Sequence, residues 1–426
     1  MSIIIRGASI LGRGQADIRV EGDRIVEVGS LSGADRVIDA DGLTALPGLV
    51  DLHTHLREPG GEQAETVLTG SRAAAAGGFT AVFAMANTQP VADSVAVVEL
   101  VRQLGEDAGL VRVQPIGAVT VGLEGKRLAE LGLMARSRAQ VRVFSDDGKC
   151  VHDPLLMRRA LEYVRPFGGV VAQHAQDPRL TETSVMHESA LSGRLGLAGW
   201  PAVAEEAIIA RDALLAEQTG SRVHICHVST AGSVDVVRWA KGRGIDITAE
   251  VTPHHLLLTE ERVADYDPLF KVNPPLRQRE DVEALREAVA DGTIDIVATD
   301  HAPHPAEAKL GSFEESAFGM VGLESALPVV MSTLVEPGHI EIADIARVLS
   351  SEPARIGGMG GYDRPLEVGT PANITLFDAE HRSVFGTRRL AGRSLNSPFL
   401  DIELRGRIEH VLFEGRQTVA EGEVTA

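Results

Sequence analysis

The sequence predicts an α/β fold, a (β/α)8 barrel of the TIM type with a small β-sandwich built from both chain ends. Three observations predict it. From residue 46 onward, eight short apolar runs alternate with longer segments of helical periodicity. Most of those runs end in His, Asp or Asn, as they do where a barrel places its chemistry at the C-terminal ends of its strands. The two flanks read instead as short strands with polar turns. A purely structural protein has little reason to stack polar residues at one level, because each needs a partner once buried. A doubly wound open sheet is the competing architecture, but no Gly-rich phosphate loop follows the first strand.

The elements follow in order. Residues 1–46, with ADIRVEGDRIVEVGS, form the N-terminal part of the sandwich. Residues 47–360 form the barrel, whose strands are the runs LPGLVDLH, TAVFAMAN, VRVQPIGAV, VRVFSDD, GVVAQHA, RVHICHV, DITAEVTPHH and IDIVATD. Helical segments between them, such as SVAVVELVRQLGEDAG and EDVEALREAVADG, close on Asp/Gly stop signals. Residues 361–426, with ANITLFD and RIEHVLFEGRQTVAEGE, return as strands, and two distant β segments flanking a barrel pair most simply into one small unit.

Composition narrows the function classes. With 60 acidic against 41 basic residues in 426, the net charge of −19 excludes nucleic acid and anionic membrane as natural partners, and means that an anionic substrate needs local cationic help. Two cysteines, Cys150 and Cys226, provide no disulfide framework, as expected in a reducing cytoplasm. No apolar run approaches membrane-spanning length, and the opening MSIIIRGASILGRG lacks a basic segment ahead of a long apolar one.

The chemistry starts at DLHTHLREPG, residues 51–60. Strand alternation points His53 and His55 to one side, where they can reach one metal ion, with Asp51 below them. Arg57 has no lone pair to join them. The fifth run ends at His174, the sixth at His227 and the eighth at Asp300, an imidazole and carboxylate set that suits zinc or a similar divalent ion. In RVHICHVST, His227 shares a strand face with Val223 and Ile225, while His224 falls on the other and reads as structural. Five ligands exceed the need of one tetrahedral ion with an open position, so two ions and a bridging group are expected. FSDDGKC offers Asp146, Asp147 and, if carboxylated, Lys149 as the bridge. Alternation puts Val141, Val143, Ser145 and Asp147 on the inner face and Arg142, Phe144 and Asp146 outside, which selects Asp147.

With this set in place, the chain resembles the amidohydrolase superfamily. The stretches LPGLVDLHTHLREPGG, ANTQP, FSDDG, HICHVST, EVTPHHLLLT, KVNPPLR, ATDHAPH and AFGMVGLE, in that order over the whole chain, resemble the dihydroorotase family, of the bacterial monofunctional type. The resemblance implies that His53, His55 and Asp300 hold one metal, that His174 and His227 hold the other, and that Asp147 bridges them. It also implies that His55, Arg57, Asn87, Asn273 and His304 contact substrate, with Phe318 and Gly319 offering backbone contacts. Two positions depart from the family pattern: Ala86 stands where proline is usual and Gln176 where glutamate is usual. Neither removes a ligand.

The implied reaction is the reversible cyclisation of N-carbamoyl-L-aspartate to L-dihydroorotate in pyrimidine synthesis. The implied chemistry uses water activated between two divalent ions, expected to be zinc, with Asp300 as the catalytic proton carrier. The rival reading on the same scaffold is a hydantoinase, dihydropyrimidinase or allantoinase, which carries a carboxylated lysine on the fourth strand and needs no extra cation for a ring carboxylate. A second rival is a non-catalytic scaffold for aspartate carbamoyltransferase, but such a chain would have lost metal ligands and this one keeps them. A homodimer, and assembly with the transferase, are both compatible with an active cytoplasmic enzyme.

Overall fold

The computed structural model describes residues 2–425. Eight parallel strands follow one another along the chain: Leu49–Thr54, Phe79–Ala84, Arg112–Pro115, Val143–Phe144, Val170–Gln173, Arg222–Ile225, Ile247–Val251 and Ile296–Val297. The first three form one parallel sheet and the last five another. Isolated parallel bridges join Gly117 to Phe144 and Thr54 to His301, so each sheet touches the other at both edges.

The connecting helices start and stop where local chemistry dictates. The segment predicted from SVAVVELVRQLGEDAG is the helix Val95–Ala108, stopped by Gly109 in the left-handed conformation. Likewise, EDVEALREAVAD lies within the helix Arg279–Asp291, and the Gly292 that follows stops it in the left-handed conformation. Asp153 and Thr230 accept backbone N–H bonds that start Pro154–Val164 and Ala231–Gly242. Strand residues divide between two cores. Val50, Leu52, Phe83, Val143, Ala172 and Ile296 pack on one another, whereas Leu49, Val82, Phe144, Val171, Val223 and Ile225 pack with helix residues such as Val98, Leu161 and Ile209.

Both chain ends enter one nine-stranded sheet, joined where Thr44–Pro47 pairs antiparallel with the start of Ile374–Val384. The expected sandwich is thus a single hydrogen-bonded sheet. Register shifts in Ser2–Ile10 and in Ile374–Val384 bend it, and Ile5, Ile18, Ile25, Ile374 and Leu412 share its small core. The run LPGLVDLH is divided between the two sheets at Gly48. A Cβ there would lie 2.2 Å from Thr80 Oγ1 and 2.8 Å from Thr80 Cβ, so only glycine fits the crossing. Among the described residues no helix is long and apolar enough to cross a membrane.

Candidate metal centre

The fourth strand is only two residues long, and the chain turns immediately after it into FSDDG. Asp146 faces away from the histidines: one of its oxygens accepts the Val119 and Thr120 amides at 2.9 Å each, and the other accepts the Thr120 hydroxyl. Asp147 faces them. Its Oδ2 lies 3.5 Å from His53 Nε2 and 3.3 Å from His55 Nε2, while its Oδ1 lies 3.2 Å from both His174 Nδ1 and His227 Nε2. Each oxygen therefore serves a different pair of imidazoles. Asp300 Oδ1 completes the first group, 3.0 Å from His55 Nε2 and 3.4 Å from His53 Nε2. Lys149 is exposed.

Alternation accounts for Asp147 but not for every donor. Val223 and Ile225 pack toward the helices, so the face they were expected to share with His227 is the outer one. His227 reaches the cluster because the strand has ended at Ile225 and the backbone turns at φ 32°. Asp300 keeps the inward parity of Ile296 and Ala298, past a strand that ends at Val297, with its own φ at 47°. His53 is redirected by a register shift between Asp51 and Thr54. Asp51 stays out of the donor set: its carboxylate accepts the Thr299 hydroxyl at 2.5 Å and the His53 amide at 3.1 Å, tying the first strand to the eighth. Burial pushes this carboxyl up to about 7.

A surrounding layer fixes the rings. Glu250, which sequence reasoning missed, holds His53 Nδ1 at 2.6 Å, His224 Nε2 at 3.0 Å and the His227 amide at 3.2 Å. Burial opposes its charge, yet His53 and His224 hold it down to about 2. Its signal lay in the sequence EVTPHH, where a charged residue interrupts an otherwise apolar strand. Asn87 Oδ1 lies 2.9 Å from His55 Nδ1, and Gln176 Oε1 lies 2.7 Å from His174 Nε2, so the neutral Gln176 suffices to orient that ring.

These residues fit divalent metal. Two donor groups meet at Asp147, namely His53, His55, Asp147 and Asp300, and Asp147, His174 and His227; a third, His53, Cys226 and Glu250, lies on the other side of the His53 ring, and the donor atoms of each group lie within 4.8 Å of one another. His53 Nε2 is buried without a hydrogen-bond partner, facing two carboxylates. Burial disfavours charging His53, but Asp147, Glu250 and Asp300 still raise it well above the ordinary imidazole value. A site so rich in negative charge calls for a cation.

The other predicted positions lie around this cluster. Arg57, half-buried at φ 62°, donates from Nε to the Pro303 carbonyl at 3.2 Å and makes no ion pair with Glu58 or Glu62, whose carboxylates take the Val67 and Gly60 amides. Asn273 Nδ2 donates to Gln176 at 3.3 Å, and its buried Oδ1 has no partner. His304 Nε2 donates to the Phe318 carbonyl at 2.7 Å. Burial, Arg57 and Lys309 push the His304 imidazole down to about 3. The Gly319 amide and carbonyl are engaged by Lys271 and Asn396, which leaves the Phe318 amide as the free backbone group of that pair.

A family model described as dihydro-orotase-like matches residues 42–233. A protein named dihydroorotase from Leifsonia xyli subsp. xyli is 66% identical over 426 residues, covering 99% of this chain and 97% of its own. The chain belongs to the dihydroorotase family. Members from Streptomyces coelicolor, 61% identical with 99% of both chains covered, and Mycobacterium tuberculosis, 54% identical with 100% of both covered, extend the match. Among solved structures, the L-hydantoinase (dihydropyrimidinase) from Arthrobacter aurescens is similar in fold, with a TM-score of 0.87 at 22% identity, over 100% of this chain and 97% of its own. The dihydropyrimidinase from Brevibacillus agri aligns over 100% of this chain and 96% of its own, with a TM-score of 0.83 at 21% identity. Those likenesses speak for the fold alone.

Proposed function

We propose that the chain catalyses the reversible cyclisation of N-carbamoyl-L-aspartate to L-dihydroorotate, a step of pyrimidine synthesis, using two divalent ions of zinc type. The observation that carries this reading is the division of the Asp147 carboxylate between two histidine pairs. His53, His55 and Asp300 would hold one ion and His174 and His227 the other, with Asp147 common to both groups. When bound, such a pair supplies Lewis acidity for the ring amide and makes water acidic enough to react near neutral pH.

The chain's own groups do the rest. In ring opening, the oxygen of water adds to the ring amide carbonyl carbon and the C–N bond breaks. Asp300, whose Oδ2 makes no hydrogen bond, takes the proton from water and passes it to the leaving nitrogen. Arg57 grips the ring carboxylate with its unpaired guanidinium. Asn87, Asn273, His304 and the Phe318 amide, with Gly319 fixing its place, orient the ring. Ring closure reverses these steps.

The eight parallel strands are proposed to close into a barrel spanning residues 47–360, supported by the bridges at both sheet edges. Residues 1–46 and 361–426 form the second unit. The hydantoinase reading loses support because Lys149 is exposed and the side chain common to both donor groups is the Asp147 carboxylate. A homodimer and a complex with aspartate carbamoyltransferase in the cytoplasm are part of the proposal. Sedimentation of the chain alone and mixed with the transferase tests both. Hydrolysis of dihydroorotate by the metal-loaded protein, at a rate well above its hydrolysis of dihydrouracil or hydantoin, tests the activity; the reverse preference would move the chain to the hydantoinase reading.

A further inference from the structure

Lys271 and Lys309 are only 2% and 8% exposed, and every hydrogen bond made by their ammonium groups goes to a backbone carbonyl. Lys271 Nζ donates to Glu314 and Ser316, both at 2.8 Å. Lys309 Nζ donates to Ala317 at 2.6 Å, Pro268 at 3.0 Å and Lys271 at 3.3 Å. The backbone adds one bond in the same place, from the Gly319 amide to the Lys271 carbonyl at 2.9 Å. Lys271 Nζ also stands 4.3 Å from the centroid of the Phe318 ring.

Burying an ammonium is expensive, and lysine is rarely buried without a counter-charge. If the two side chains only filled space, methionine would do so at lower cost. An ammonium offers three N–H donors, and Lys309 uses all of them on three carbonyls, which no neutral side chain can match. The carbonyls belong to two segments, 268–271 and 314–317. The first leads within two residues to Asn273 and the second directly into Phe318 and Gly319. The loop from 305 to 319 has little regular structure, only the short 3-10 turn Ala306–Lys309.

We propose that Lys271 and Lys309 are positioning residues that staple segment 268–271 to segment 314–317, fixing the distance between Asn273 and the Phe318–Gly319 backbone and thereby the affinity for substrate. This rests on the reading above that those two groups face substrate. The lysines touch neither the metal donors nor Asp300, so the staple acts on binding and leaves the chemical step alone.

The test compares Lys309→Met, which keeps the length and removes every donor, with the milder Lys309→Gln, which keeps two, in metal-loaded protein. Four quantities are measured: KM and kcat for dihydroorotate, metal content, and amide hydrogen exchange across residues 305–319. Expected for Lys309→Met are a KM raised roughly ten-fold or more, kcat within about three-fold of the parent, unchanged metal content and faster exchange confined to that loop, with Lys309→Gln between the two. Unchanged exchange and unchanged KM in both variants overturn the staple. A fall in kcat with lost metal in the Gln variant also overturns it, in favour of a general structural role. Faster loop exchange with an unmoved KM supports the staple as a loop anchor and overturns the assignment of Phe318 and Gly319 to substrate, so the two failures are distinguishable.

Discussion

Glu250 shows how a buried carboxylate can act on a site without entering it. One oxygen fixes His53 Nδ1 at 2.6 Å, so the opposite ring nitrogen must face the donor cluster. Glu250→Gln should weaken divalent metal binding by roughly ten- to a hundred-fold, read by chelator competition, with the fold unchanged. An unaltered affinity would reduce the contact to packing. Arg57 is the second test at this scale. As a surface ion pair its loss would be worth ~0–1 kcal/mol, but its guanidinium has no carboxylate partner. Arg57→Met should therefore cost ~1.5–3 kcal/mol in kcat/KM for dihydroorotate. Metal content and any residual hydrolysis of dihydrouracil, which lacks the carboxylate, should hardly change. Equal loss of both activities with metal retained would refute the clamp. His304, pushed down to about 3 by burial, Arg57 and Lys309, is neutral throughout the working range. Because its pKa is lowered, it gains a proton only below that value. A His304→Asn variant should thus keep the parent shape of log kcat/KM between pH 5 and 8, even if its magnitude falls.

At the level of the element, strand ends rather than strands carry the site. Asp147 was legible in the sequence because Val143 and Ser145 keep a strict alternation into FSDDG. His227 was legible only as a residue type, since its positive φ breaks the alternation that would point it outward, whereas Asp300 keeps the inward parity of Ile296 and Ala298. Glu250 escaped notice because nothing in a single strand reveals which histidine a carboxylate will face from its neighbour. The change of pattern near residue 46 marks where the chain leaves one sheet for the other, but the crossing itself depends on Gly48, whose lack of a side chain matters only against Thr80. Gly48→Ala should destabilise the protein by about 1–3 kcal/mol through overpacking at that crossing, measured by denaturant unfolding. A change near zero would mean that Thr80 can yield.

For the whole molecule, the strand-helix order and the chemistry were readable because five of the eight runs that alternate with helices also end in the donors. The continuous nine-stranded sheet was less so, since bulges leave little trace in composition. The net charge of −19 makes one unpaired arginine at a metal centre conspicuous. The reaction assignment has its own signature at this scale: carbamoyl aspartate carries two carboxylates and dihydroorotate one, so closure consumes a proton. The equilibrium ratio should favour the ring about tenfold more per unit fall in pH while both carboxylates stay ionised, and a flat ratio would indicate another substrate pair. The decisive measurement is metal content per chain in the parent, Asp147→Ala and Lys149→Ala proteins. About two divalent ions are expected in the parent and in Lys149→Ala, with binuclear loading lost in Asp147→Ala. Full loading of Asp147→Ala, or an empty Lys149→Ala protein in a parent that needs bicarbonate for reconstitution, would contradict the bridge.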